Sequence, residues 1–261
     1  MPSKENIVSN CKILLNAYRS GNLGNIKMPE DASPVFSDED AEMRLVYYTL
    51  PMSLNYQRNS YNLWESVLET FNDSETKCVF NIDYSAKLSE EKLRIYLLKH
   101  KVALQPNKHI STWHRISKTI SENWGSIIKL LEFANYDFLK LKDIVQKQFK
   151  KGFPYLSGPK IFNYWSFIIQ EYCNIKLKNS EFIEIAPDTH IIKCSVVLGV
   201  ISKDEATSLS RDMISLRWRN ILNGTGISPI NMHAPLWFWS RNNFQFKLLR
   251  KKRIGSSFLG G

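Results

Sequence analysis

Apolar residues recur at three- and four-residue spacing along most of the chain, the period of a helix with one buried face. The pattern predicts one helix from Ala41 to Leu50 and another from Asn55 to Phe71, parted by Pro51. In SEEKLRIYLLKHK, Ser89 is placed to cap a helix, with Glu90 and Glu91 in a first turn whose dipole favours acids. Ile110 to Ala134 reads as one or two helices, and Asp137 to Lys150 as another, ended by Gly152 and Pro154. Ser202 is expected to cap one long helix, KDEATSLSRDMISLRWRNILN, which Gly224 stops at the C′ position. Pro229 to Arg241 predicts a final apolar helix rich in tryptophan.

Only KCVFNIDY, around Val79, has the character of a strand, and it is short. Strands and helices do not alternate, which argues against a Rossmann or barrel architecture. No repeat occurs at solenoid periods. The fold class expected is all-α, with about ten helices. Residues 21–42, GNLGNIKMPEDASPVFSDEDAE, combine glycine, proline and an acidic cluster, and read as a linker or loosely held arm. The expected organisation is therefore an N-terminal helix and acidic arm over 1–40, followed by a helical body over 41–261. A basic tail runs from 247 to 261.

Composition narrows the class. The chain has 261 residues, 43% hydrophobic and 12% aromatic, enough for a substantial core. Its formal charge of +10 points to a polyanionic partner, nucleic acid before an anionic membrane. No apolar run approaches the roughly 20 residues that span a bilayer, and the N-terminus lacks the order of a signal peptide. Cys11, Cys78, Cys173 and Cys194 are far apart, without metal-ligand spacing or the density of a disulfide scaffold. Reduced thiols in an intracellular protein are expected, with no metal site, no iron–sulfur cluster and no other cofactor.

Two segments carry candidate chemistry. In QKQFKKGFPYLSGPKIFNYWSFIIQEYC, a basic helix end with Lys147, Lys150 and Lys151 runs into a short hairpin, over about 150–162. A second helix then begins near Pro159, a residue suited to the first helical position. Free N–H groups at such a start, around Ser157 and Gly158, can hold a phosphate. The same field disfavours a protonated amine, so it can lower the pKa of Lys160 towards that of a usable nucleophile. In EIAPDTHIIKCSVVLGVI, Asp188 lies twenty-eight residues after Lys160, just ahead of an apolar helical run within 186–200. Taken singly, Lys160 is a solvated lysine and Asp188 a helix cap contributing about 1 kcal/mol. Taken together, they form an amine and a carboxylate at two helix starts.

In this respect the chain resembles the helix-hairpin-helix DNA glycosylases of base-excision repair. Their L-P-G-x-G hairpin is followed, in the bifunctional members, by a lysine at the second helix. A V-D-x-H-V element then supplies a catalytic aspartate. Gly158 to Lys160 matches the end of that hairpin, and Pro187 to Ile191 matches the aspartate element. The resemblance covers about residues 137–201. Leu156 and Ser157 stand where the family has its first hairpin glycine and that glycine's neighbour, which bears on close backbone approach to a phosphate. The lysine–aspartate spacing looks like the archaeal 8-oxoguanine branch, which has an aromatic residue one turn after the lysine. Here that position is Tyr164, with Trp165 adjacent.

The resemblance implies two helical subdomains flanking a cleft. It also implies removal of a damaged base, such as an oxidised purine, from double-stranded DNA by a monomeric enzyme. A flipped nucleotide would be attacked by Lys160 while Asp188 stabilises the charge growing on the sugar. The Schiff base would then allow β-elimination. A non-catalytic helical nucleic-acid-binding protein and a monofunctional glycosylase are the alternative readings.

Other residues are weighed beside these. Gln57 and Trp64, in NYQRNSYNLWESV, can read or stack on a flipped base, or form a capped helix with Trp64 in the core. Trp113, His114 and Trp124 read as packing, and Trp237 and Trp239 as a closing apolar helix or an aromatic base platform. His190 can orient the aspartate helix or contact phosphate, but lacks partners at metal-ligand spacing. Lys247 and the cluster Arg250 to Arg253 can add sequence-independent phosphate contacts or form a solvated tail.

Overall fold

The structure is a computed structural model and describes residues 2–24 and 27–248. Thirteen α-helices and no strand are present among the described residues, so the fold is all-α. They are α1 (Lys4–Arg19), α2 (Ala41–Thr49), α3 (Ser60–Asn72), α4 (Ile82–Lys87), α5 (Glu90–Lys99), α6 (Pro106–Asn123) and α7 (Ile127–Phe133). They continue with α8 (Phe138–Asp143), α9 (Pro159–Tyr172), α10 (Thr189–Leu198), α11 (Glu205–Ser208), α12 (Arg211–Leu222) and α13 (His233–Arg241). No helix among the described residues is long and apolar enough to cross a membrane.

Side-chain caps set many of the boundaries. Ser89 accepts from Lys92 N at the start of α5, as its sequence predicts. Asn59 accepts from Tyr61 N and Asn62 N, so α3 begins at Ser60 and residues 55–59 are left as a loop. Asp137 caps α8, which widens into a π turn over Ile144–Gln148 instead of running on as one regular helix to Lys150. Ser202 does form a reciprocal cap with Glu205, but the long helix expected there is broken. Ser210 caps α12 afresh, because its hydroxyl accepts from Met213 N. Gly224 lies just beyond α12 with φ +77, a conformation that a Cβ would strain.

The strand expected at KCVFNIDY is a 3-10 turn, Lys77–Phe80, followed by α4. Two side chains explain this. Asn81 accepts from Tyr84 N and starts the helix, while Val79 O is taken by Ser85 Oγ at 2.6 Å and Trp113 Nε1 at 3.3 Å. A carbonyl claimed by side chains has no need of a ladder partner.

Two apolar clusters organise the chain. One draws on α2 to α9 and includes Tyr47, Trp64, Phe80, Trp113, Phe162 and Trp165. The other joins α1 to α10, α12 and α13 through Ile7, Leu14, Ile191, Trp218 and Phe238. The N-terminal helix is thus packed with the C-terminal third of the chain. Tyr164, on α9, packs against both clusters.

The segment expected to be a loose arm is instead pinned at its centre. Glu30 is completely buried, Tyr47 donates its hydroxyl to Ala32 O at 2.7 Å, and Tyr172 donates to Asp31 Oδ1 at 2.7 Å. Its glycine, proline and acidic composition describes the backbone's path over the surface and misses the side chains that reach inward. The basic cluster Arg250 to Arg253 lies outside the described residues.

Candidate functional site

A turn over 153–158 and the start of α9 place Lys160. Tyr155 takes the left-handed conformation at φ +59, and the chain turns so tightly that a Cβ on Gly158 would sit 3.1 Å from Tyr155 O. Gly158 then leads into Pro159 and Lys160, the first two residues of α9, with no side-chain cap. Leu156 is fully buried in the first apolar cluster. Leu156 therefore anchors the turn to the core.

The aspartate element is equally well defined. Asp188 caps α10, and its Oδ1 accepts from both His190 N and Ile191 N at 2.9 Å. Both bonds fall on one oxygen. Oδ2 has no hydrogen bond among the described residues, so capping occupies half the carboxylate and leaves half for other work.

Lys160 and Asp188 line one cavity of about 260 Å³. Its lining draws on distant parts of the chain, with Met28, Gln57, Arg58 and Tyr164 joined by Ala186, His233 and Trp237. The Lys160 amine makes no hydrogen bond or ion pair among the described residues. Its pKa is lowered from the ordinary lysine value by burial of the amine, with Arg211 pushing the same way and Asp188 opposing. The residue as a whole is nevertheless exposed, because it also lines a second cavity of about 320 Å³ with Tyr56, Tyr155 and Arg211.

The other predicted positions divide. Tyr164 lines the cavity, and its hydroxyl donates to Glu30 Oε2 at 3.1 Å. Gln57 lines it too, exposed and at φ +51, a strained conformation for a residue with a side chain. Trp64 and Trp165 do not reach it. The Trp64 indole is fully buried and donates to Glu30 Oε1 at 2.9 Å, while Trp165, 1% exposed, donates to Thr49 Oγ1 at 2.9 Å. Both belong to the core, where a buried indole needs an acceptor.

In the turn ahead of α9 the N–H groups of residues 156–158 are engaged, while Lys160 N and Ile161 N, in the first turn of the helix, have no acceptor among the described residues. Leu156 N donates to Pro154 O, Ser157 N to Phe153 O and Gly158 N to Tyr155 O, at 2.7–2.9 Å. Lys150 and Lys151 are exposed nearby. His190 spends its N–H on Asp188, and its Nδ1 pairs with Ser240 Oγ at 3.1 Å, which leaves Nε2 for any phosphate contact. Lys247 is exposed and donates to Phe244 O.

His233 and Trp237, in the segment that the sequence reads as a closing apolar helix or an aromatic base platform, complete the lining. His233 is 7% exposed, its Nδ1 is buried without a partner, and burial takes its pKa down to about 4. It is neutral at pH 7, with its ring centroid 5.1 Å from that of Tyr164. Trp237, one helical turn further on, is half-buried and stacks with Arg241, whose guanidinium carbon lies 4.8 Å from the ring centroid. The i, i+4 spacing of His233 and Trp237 was the available signal, because it puts both on one face of α13.

No group of three or more His, Cys, Asp or Glu able to hold a metal ion occurs among the described residues. The four cysteines are free, and burial raises the Cys11 and Cys173 thiols to about 12. Those two thiols are poor nucleophiles at neutral pH. The geometry thus assembles an unpaired amine, a half-free carboxylate and two aromatic side chains around one cavity. Neither a scan against protein-family models nor a search of curated proteins returns a match for the chain.

Proposed function

We propose that the protein is a DNA N-glycosylase with β-lyase activity, acting on a damaged base, best an oxidised purine, in double-stranded DNA. The observation that carries the reading is the shared cavity of Lys160 and Asp188, two residues twenty-eight apart that each begin a helix.

In this reading the flipped base enters between Tyr164 and Trp237. The neutral amine of Lys160 attacks C1′ of the deoxyribose, and the glycosidic bond breaks with its electron pair leaving on the base. Asp188 Oδ2 stabilises the positive charge that develops on the sugar. The sugar ring then opens to a protonated Schiff base on Lys160. Loss of the C2′ proton expels the 3′ phosphate and nicks the strand. The lowered pKa of Lys160 supports this role, since only the unprotonated amine is a nucleophile.

Borohydride trapping on oligonucleotides carrying 8-oxoguanine or an abasic site tests the proposal. The wild-type chain should form a covalent adduct that is lost in Lys160→Gln and persists in Asp188→Asn with slower base release. Salt-sensitive DNA binding without an adduct on any substrate would replace it with a non-catalytic nucleic-acid-binding role. Base release without an adduct would point to a monofunctional glycosylase.

A further inference from the structure

The cavity holds a second cation that the chemistry above does not use. Arg58 lies in the loop ahead of α3 and lines the same cavity as Lys160 and Asp188. Its NH1 donates to Val102 O at 2.6 Å and its NH2 to Lys101 O at 3.4 Å. Lys101 is itself left-handed at φ +59, so a tight turn presents this pair of carbonyls. Neutral carbonyls therefore position the guanidinium, and no carboxylate pairs with it among the described residues. Its Nε is sealed from solvent without an acceptor. Two of five N–H groups are used, and the charge stays uncompensated in a half-buried place, an arrangement that costs stability unless an anion completes it.

Two further observations say what kind of anion. Asp188 is the sole carboxylate lining the cavity among the described residues, so their net charge there is positive whenever Lys160 is protonated. The N–H groups of Leu156, Ser157 and Gly158, where a phosphate grip was expected, are spent on carbonyls of their own turn, which leaves Lys160 N and Ile161 N as the backbone donors at that helix start. Burial pushes the Arg58 pKa down to about 10, which still leaves it charged at neutral pH.

We propose that Arg58 binds a backbone phosphate of the target nucleotide, so that a side chain at the cavity wall grips the strand. The inference rests on the glycosylase reading for the identity of the strand. A guanidinium fork offers the two-pronged geometry that a phosphate accepts.

The test uses the full chain and duplexes carrying a stable tetrahydrofuran abasic analogue. A single uncharged methylphosphonate replaces the phosphate on the 5′ or the 3′ side of that residue. Wild-type protein should bind one of the two neutral-linkage duplexes about tenfold more weakly than the fully charged duplex. Arg58→Gln should bind the charged duplex about tenfold more weakly and be indifferent to that linkage. Arg58→Lys, which keeps the charge and loses the fork, should retain part of the linkage effect and so separates phosphate binding from loop damage. The inference is overturned if Arg58→Gln loses as much as wild type at each neutral linkage, or if wild type is indifferent to both. Trapping of wild type on abasic DNA, run alongside, reports separately on the glycosylase reading.

Discussion

The Tyr164 hydroxyl donates to Oε2 of Glu30 at 3.1 Å, across 134 residues of sequence. This bond ties the helix that carries Lys160 to the buried centre of the N-terminal segment. Trp64 donates to the other oxygen, so one carboxylate holds three parts of the chain together.

The arrangement makes stability depend on pH. Burial raises the Glu30 pKa from its usual 4.5 to about 7, against the lowering effect of its hydrogen bonds. Between those values the folded state binds more protons than the unfolded state, so stability falls as pH rises through that window and stays lower above it. Glu30→Gln should flatten the dependence. The change in unfolding free energy between pH 4.5 and 8, from urea titrations, should shrink by on the order of 3 kcal/mol. An unaltered pH profile in the variant would assign the dependence to other groups.

Lys160 should impose a different profile on catalysis. Single-turnover rates should rise with pH as the amine loses its proton and level off below the ordinary lysine value. Asp188 stabilises the protonated amine and Arg211 destabilises it. Asp188→Asn should therefore move the midpoint down, and Arg211→Gln should move it up. Shifts in the same direction would contradict this placement of the two charges.

Capping and chemistry at Asp188 can be separated. Asn is as good a cap as Asp, so Asp188→Asn should melt near the wild-type temperature while its excision rate falls about 10²–10³-fold. Asp188→Ala should lose the same activity and also about 1 kcal/mol of stability. Calorimetry beside rate measurements on both variants decides the matter. Equal melting losses in the two would mean that the cap needs the charge.

Leu156→Gly puts a glycine where the hairpin pattern that the sequence resembles has one, and should not raise activity above that of the wild type. It removes a fully buried side chain from the first apolar cluster, at a cost of at least about 3 kcal/mol. Chemical denaturation should register that loss, with no gain in DNA affinity measured at a temperature where the variant is folded.

The tryptophans provide an internal contrast. Trp165→Phe should cost about 1–2 kcal/mol through its bond to Thr49 and leave excision intact. Trp237→Ala, at the cavity wall, should slow excision with little change in melting. The reverse pattern would move base binding from Trp237 to Trp165.

Local chemistry was legible in the sequence where it is decided locally. Ser89 ahead of two glutamates, Asp188 ahead of an apolar run and Pro159 after a Ser-Gly turn each begin a helix, because caps act within a few residues. The apolar run around Val79 was ambiguous, since a short buried segment reads alike as strand or helix until its carbonyl partners are known. Glu30 was hidden for another reason. Its neighbours Pro29, Asp31 and Ser33 look like loop, and its burial is decided by Trp64 and Tyr164, far away in the chain. The same distance effect kept His233 and Arg58, both visible in their segments, from being assigned to the site, while Trp64 and Trp165 were drawn towards it by their residue type and belong to the core.

Lys160 has space on both flanks, one cavity shared with Asp188 and another with Arg211. A lysine at the bottom of a blind pocket must release one product before the next reactant can arrive. A lysine bordered by two cavities need not have such a queue. In the chemistry proposed, water reaching the intermediate through the second cavity would let hydrolysis proceed before the departing base has left the first.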